Sequence, residues 1–285
     1  MGLTSLLTTF FQSRKIDILV TLIVLVLSKV LTYLPPHHMD IPSNHPLFSF
    51  PRKEGTFGLW STITIDFIVP VIIIIVLSIY SGYIYGCFNV VLSFVFNDSL
   101  NGFLTQLFKL FAGRPRPFFF NGCDHSKNTC FKSFPSGHSS FAMAGLLFFA
   151  LYIFFYMKRT HFKSKNLVCG IAFALPVLLA FTIAITRTRD HYHHFSDITG
   201  GVMLGGSVAL ISFFATYQRF YLKEEEDTED IIVFQEITIF YKYFIKLELY
   251  KKSNSIIRKS VEKTSKKMFS CIYPNPDYLL FHNFS

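Results

Sequence analysis

The chain has 285 residues, of which 51% are hydrophobic and 35 are phenylalanine, and it carries a net charge of +9. A soluble domain is about 45–50% apolar even when glycine is counted. Here the excess lies in long runs, which excludes an ordinary water-soluble fold and points to a membrane protein. In such a protein the positive balance implies contact with anionic headgroups or an anionic substrate, and no nucleic-acid partner is expected. The five cysteines form no CxxC pattern of the kind that holds zinc.

A helix crosses a hydrocarbon core of roughly 30 Å with about 20 apolar residues. Six segments meet that length: 16–34, 61–81, 83–110, 139–157, 166–186 and 198–217. The first is followed by Tyr33-Leu34-Pro35-Pro36 rather than a small-residue cleavage site, so it is expected to be an anchor. The third holds Asn97, Asp98 and Asn101. Polar groups at depth face the bundle interior, so Asp98 either points inward or marks a break in the span. Phenylalanine-rich runs are expected to face lipid. Gly200, Gly201, Gly205 and Gly206 in the last span are expected to allow close helix packing. The reading is an all-α, integral membrane six-helix bundle over residues 1–219. Residues 220–285 are expected to form a cytosolic tail, partly disordered, with an acidic run at 223–230 and a basic run at 251–267.

With six spans, the connections between spans three and four and between spans five and six share one membrane face. The first connection carries KLFAGRPRP (109–117) and FPSGHSS (134–140), and the second RTRDHYHHFSD (187–197). Between spans four and five, Lys158, Arg159, Lys163 and Lys165 occur with no acid. The positive-inside rule makes that loop cytosolic and the other face extracytoplasmic or lumenal. The chemical face is itself basic, with Lys109, Arg114, Arg116, Lys132, Arg187 and Arg189, and this conflict resolves if those cations bind a ligand. The host membrane is expected to be the plasma membrane, the endoplasmic reticulum or another endomembrane, and self-association stays open.

A phosphate monoester needs fixed cations and N–H donors. Arginine offers forked contacts, lysine a compact charge, and a Ser-Gly turn opening a helix offers amides at its positive end. Lys109, Arg114, Arg116, Ser136, Gly137 and Arg187 supply each of these. Breaking the ester needs a nucleophile, charge stabilisation and an acid for the leaving oxygen. A neutral histidine can attack phosphorus. His193 and His194 both lie within helical reach of Asp197, and spacing alone does not choose between them. His138 can protonate the departing alkoxide.

These segments resemble the signature of the type 2 phosphatidic acid phosphatase superfamily, which includes the lipid phosphate phosphatases. Its first motif, Lys, six residues, Arg-Pro, matches Lys109 and Arg116-Pro117. Its second, Pro-Ser-Gly-His, matches Pro135 to His138. Its third, Ser-Arg, five residues, His, three residues, Asp, matches Thr186-Arg187, His193 and Asp197, with threonine replacing serine and keeping the hydroxyl. The resemblance covers roughly residues 16 to 217. It implies that Lys109, Arg116, Ser136, Gly137 and Arg187 bind the phosphate, that His193 is the nucleophile oriented by Asp197, and that His138 is the general acid. GRPRP and FPSGHSS most resemble the lipid phosphate phosphatases acting on phosphatidate and diacylglycerol pyrophosphate, which implies a metal-independent reaction on a phosphatidate-like lipid, with no cofactor. Arg114, Arg189, Asp190 and His191 fall outside the pattern and are weaker candidates for substrate contact.

Sphingoid-base phosphate and polyprenyl pyrophosphate phosphatases share the same core and remain alternatives. A His-rich metal transporter, using His191, His193, His194 and Asp197, is the competing class. Against it, Lys29, Asp66 and Asp98 read as isolated and form no path through the membrane. If the loop CDHSKNTC is extracytoplasmic, a disulfide between Cys123 and Cys130 is permitted there. Cys87, Cys169 and Cys271 are expected to play no special part. The sequon at Asn283 would stay unmodified in a cytosolic tail.

Overall fold

A computed structural model describes residues 3–43, 45–82, 84–124, 128–159 and 165–217. The acidic and basic runs of the tail, Cys271 and the sequon at Asn283 lie outside the described residues, as does the centre of the basic loop at 160–164. Among the described residues the regular structure is helical. A short helix α1 (Leu3–Ser13) precedes α2 (Lys15–Tyr33), α3 (Leu59–Tyr80), α4 (Ile84–Ala112), α5 (Gly137–Arg159), α6 (Lys165–Arg189) and α7 (Phe195–Thr216). Helices α2 to α7 are long and apolar enough to cross a membrane, and they correspond to the six expected spans. The protein is a six-helix, multi-pass membrane bundle.

Helix α5 is the most buried span and packs most extensively against α6 and α7, while α2 is the least buried and lies mainly on α4. Between α5 and α7 the small residues matter. A Cβ on Gly201 would fall 2.6 Å from the Ser136 carbonyl oxygen, and one on Gly205 would collide with the Ser140 carbonyl oxygen. Without a hydrophobic force between helices in lipid, such close backbone approach gives the dispersion contact that holds them. Gly206 differs, since a Cβ there would meet only Met143 and Leu147 at ordinary distances.

The phenylalanines are not all lipid-facing. Phe94, Phe148 and Phe213, from α4, α5 and α7, are fully buried. Phe148 meets Phe94 and Phe213 edge to face at 5.2 and 5.3 Å. Each ring edge is positive and each face negative, so the arrangement is attractive beyond the area it buries.

Helix α4 runs unbroken through Asp98, so no break occurs there. Asp98 is half-buried and accepts a hydrogen bond from the Asn97 amide at 3.3 Å. It is not isolated, because Asp66 lies within electrostatic reach of it. Asp66 sits in a π-helical turn, Thr64–Ile68. Pro70 has no N–H to offer the carbonyl four residues earlier, and the ladder widens so that the Val69 N–H reaches back to Thr64. The Asp66 carbonyl then packs against Gly145 of α5, where a side chain would collide with it.

The α5–α7 contact generates a paired test. Gly205→Ala must push two backbones apart and is expected to cost about 1–3 kcal/mol, seen as a lowered melting temperature in detergent with loss of activity. Gly206→Ala, one residue on, is expected to leave both unchanged.

Candidate active site

The site forms at one end of the bundle, where α4 and α6 finish and α5 and α7 begin. Helix α4 stops at Gly113, whose φ is +51° and whose missing side chain admits the His37 carbonyl. That stop leaves Lys109 one turn from the end. The Lys109 Nζ has no hydrogen-bond partner among the described residues, and a Cβ on Gly137 would lie 3.2 Å from it. Gly137 therefore leaves room for the ammonium beside the first turn of α5. The amides of Gly137 and His138, in that turn, have no intrahelical acceptor.

Ser136 is spent largely on structure. Its hydroxyl accepts from the Ser139 hydroxyl at 2.9 Å and caps α5. Its N–H donates to the Asp197 carbonyl at 2.9 Å, tying the start of α5 to the start of α7. His138 follows, with its Nε2 buried and without a hydrogen bond. Arg187, Lys109 and Arg116 all act electrostatically on it.

Helix α6 ends in a Schellman motif. The Tyr192 N–H donates to the Arg187 carbonyl and the His191 N–H to that of Thr188, both at 2.9 Å. His191 takes the left-handed position, φ 60°, that glycine usually fills. The turn delivers Arg187 and His193 to the same place. Arg187 is 1% exposed. Its guanidinium donates to Asp190 at 3.1 Å and more weakly to the Thr186 hydroxyl at 3.4 Å. Asp190 is held by the Thr56 N–H at 2.6 Å and the Thr56 hydroxyl at 3.0 Å. Burial would raise the Asp190 pKa, but the Thr56 donors, Arg187 and Arg189 together hold it below the usual carboxylate range.

Asp197, fully buried, is the most heavily bonded group in the site. It accepts from Arg114 at 2.7 Å, the Ser133 hydroxyl at 2.7 Å and the His194 N–H at 2.9 Å. The two histidines that spacing left equivalent differ here. His194 Nδ1 lies 3.2 Å from Asp197, and its Nε2 is 3.1 Å from the Leu47 carbonyl, so both ring nitrogens are engaged. His193 Nδ1 lies 3.7 Å from Asp197, longer than a hydrogen bond, and is buried without a partner. Of these two histidines, only His193 has ring nitrogens that make no hydrogen bond among the described residues. Burial, the largest influence, lowers its pKa to about 3; Arg116 and Lys109 add to this, and Asp197 opposes it. The ring is neutral at physiological pH, as a nucleophile must be.

The expectation that every cation of this face awaits a ligand needs correction. Arg114 neutralises Asp197. Lys132 donates to the carbonyls of Thr32 and Leu34, both at 2.8 Å, and so caps α2. Arg189 bonds the Thr56 hydroxyl at 2.6 Å. Arg116 keeps only weak ties, 3.1 Å to the Thr129 carbonyl and 3.4 Å to that of Tyr192, and burial lowers its pKa to about 10, which leaves it charged. Lys109 and Arg116 are thus the cations most open to an anion. The metal-binding alternative fits poorly, because His191 bonds the Pro51 carbonyl at 3.1 Å and His194 is fully engaged.

Sequence reading missed the first outer connection, residues 34–58. Leu47, Pro51 and Thr56 reach His194, His191 and Asp190, all more than 130 positions away. No local signal marks them. Across the face, Cys123 and Cys130 form a disulfide.

Two buried histidines without ring hydrogen bonds and two lightly held cations are grouped at a helix start. The family model of the PAP2 superfamily matches residues 87–221. A probable lipid phosphate phosphatase 4 of Arabidopsis thaliana is 32% identical over 222 residues, covering 69% of this chain and 70% of that one. Lipid phosphate phosphatase 2 of the same plant is 28% identical, covering 69% and 75%. A probable diacylglycerol pyrophosphate phosphatase 1 of Schizosaccharomyces pombe is 28% identical, covering 50% and 57%. No solved structure matches the chain. The chain belongs to the PAP2 superfamily, in its lipid phosphate phosphatase branch, and is a membrane phosphatase.

Two tests follow from this geometry. Arg114→Ala frees the Asp197 carboxylate to turn away from His193, and kcat is expected to fall about 10²-fold with KM little changed. The second concerns pH. Between about 6.5 and 3 an unfolded chain protonates His193 and the folded one does not, so this group costs stability as pH falls through that window. His193→Gln removes the cost, and its melting temperature in detergent is expected to rise relative to wild type as pH drops from 7 to 4.5.

Proposed function

We propose that the protein hydrolyses the phosphomonoester of phosphatidate-like lipids to diacylglycerol through a phosphohistidine, without a metal ion. The observation that carries this reading is the pair of buried histidines without ring hydrogen bonds at the bundle end, His193 under the charges of Arg116 and Lys109 and His138 under those of Arg187, Lys109 and Arg116. The phosphate oxygens are held by Lys109, Arg116, Arg187 and the Gly137 amide, with the hydroxyl of Ser136 beside them. The His193 Nε2 lone pair attacks phosphorus in line. As the P–O ester bond breaks, the leaving oxygen takes a proton from His138 Nε2. A water then attacks the phosphohistidine, giving a proton back to His138, and the P–N bond breaks to release inorganic phosphate.

Asp197 supports the step through charge. Phosphorylation makes the imidazole cationic, and the 3.7 Å gap to the carboxylate can close into an ion pair at that moment. Catalytic contacts that are long in the resting state commonly tighten this way. Fixed cations stabilise the charge on the transferring group, so the residues account for the chemistry without a divalent ion.

The site is assigned to the extracytoplasmic or lumenal side. Two observations support this. The Cys123–Cys130 disulfide lies in the connection that bears Arg116 and His138, and disulfides persist in oxidising compartments. The basic residues at the join of α5 and α6, such as Lys158, lie at the other end of those helices.

His193→Ala is expected to reduce phosphatidate turnover at least about 10³-fold while the protein still inserts and melts normally. Wild-type activity should persist in a metal chelator and be lost to vanadate. Undiminished hydrolysis by the variant would end the proposal.

A further inference from the structure

We propose that Arg52 is a specificity-determining residue, which reads a second anionic group beside the reacting phosphoryl group and favours phosphoanhydride lipids over simple monoesters. The inference rests on the phosphatase reading above.

Arg52 belongs to the first outer connection. Its guanidinium carbon lies 5.6 Å from the centroid of the Phe118 ring. Arg116 lies 5.9 Å from the same ring and 6.0 Å from Tyr192, and Arg187 lies 5.6 Å from Tyr192. Phe118 and Tyr192 meet edge to face at 5.6 Å. Three guanidiniums and two rings thus alternate, and each cation gains from a ring face. Arg116 and Arg187 belong to the phosphate set. Arg52 extends the row by one cation, toward solvent.

Its position is built. The Phe50 N–H donates to the Pro117 carbonyl at 3.0 Å, Asn121 donates to the Ser49 carbonyl, and His191 bonds the Pro51 carbonyl. These contacts pin the backbone just before Arg52 from two connections at once. A Cβ on Gly122 would stand 2.7 Å from the Arg52 Cβ, so Gly122 admits the approach.

The charge is unbalanced. Arg114, Arg187 and Arg189 each pair with a carboxylate, whereas Arg52 has no acidic partner among the described residues. Its charge is felt at Arg116. Fixing a further cation beside this group is unfavourable until an anion arrives. The reacting phosphoryl group already has Lys109, Arg116, Arg187 and the Gly137 amide, so the anion left for Arg52 is a neighbouring one. A pyrophosphate lipid carries it; phosphatidate does not.

The test compares wild type, Arg52→Ala and Arg52→Lys on diacylglycerol pyrophosphate and phosphatidate in the same mixed micelles. Arg52→Ala is expected to raise KM for the pyrophosphate lipid about tenfold, the scale of one lost charge-assisted contact. KM for phosphatidate and kcat for both should move less than about twofold, and Arg52→Lys should recover most of the loss. Calorimetric binding of inorganic pyrophosphate and inorganic phosphate gives the same comparison without turnover. Equal effects on both ligands, or none, would overturn the assignment. A wild type that binds pyrophosphate through Arg52 but hydrolyses neither lipid would instead sink the phosphatase reading and leave the Arg52 site standing.

Discussion

Asp197 is the constraint around which the site is organised. Its carboxylate takes Arg114 and Ser133 from one connection and the His194 amide from another, and its backbone carbonyl takes the Ser136 amide. One residue therefore fixes the relative position of three separate stretches of chain. A buried carboxylate without partners would be intolerable in so apolar a setting. With these donors it stays ionised, and it stays still. That immobility passes to His193, one helical turn back, because the ring faces a charge that cannot drift. Two of the donors, Arg114 and Ser133, belong to none of the three motifs, yet they hold the carboxylate that His193 faces.

The glycines of α7 do for the backbone what Asp197 does for side chains. Gly201 lies against the Ser136 carbonyl, and the Ser136 amide bonds Asp197, so close packing and hydrogen bonding act at the same point. Further down, Asn101, Ser140 and Thr105 join α4 to α5 through hydroxyl contacts of 2.6 and 2.7 Å. Lys109 lies four residues beyond Thr105 on α4, so this polar stripe ends at the Lys109 ammonium. In lipid, where helices gain little from apolar contact alone, a row of polar contacts of this kind sets register. The depth of Lys109 relative to His138 follows from that register.

Much of this was legible in the sequence, and the reason is physical. Spans announce themselves because lipid demands long apolar runs. The three motifs stand out because charged and glycine-rich segments between such runs need an explanation. What stayed hidden depends on contacts far apart in the chain. Nothing near Thr56 reveals that it clamps Asp190, and nothing near Arg114 reveals that it serves Asp197 while Arg116, two residues on, stays open. His193 and His194 are equivalent by helical spacing; the difference comes from the Leu47 carbonyl, which occupies one ring and not the other. Lys132 looked like a ligand cation and is a helix cap. The phenylalanines looked like lipid-facing filler, since composition does not say which face a ring takes, and eight of the described ones became core.

The cations of the face divide by how firmly they are held, and the division bears on catalysis. Arg114, Lys132 and Arg189 have short bonds to the protein and build structure. Arg187 is half committed, since Asp190 positions it. Lys109 and Arg116 are nearly free. A site in which every cation were neutralised would bind phosphate weakly, and one in which none were would repel itself apart. The graded arrangement places the structural cations behind and the free ones in front. Because low-dielectric helices back the site, the free charges act at nearly full strength on an anion entering from the membrane surface. The acyl chains of a lipid substrate can stay in the bilayer while only the headgroup enters this field. On the proposed mechanism a phosphohistidine would add one positive charge on the imidazole, and Asp197 is the fully buried carboxylate facing it among the described residues. The electrostatics of the resting site would then favour that intermediate over the empty state, which is where differential stabilisation accelerates a reaction.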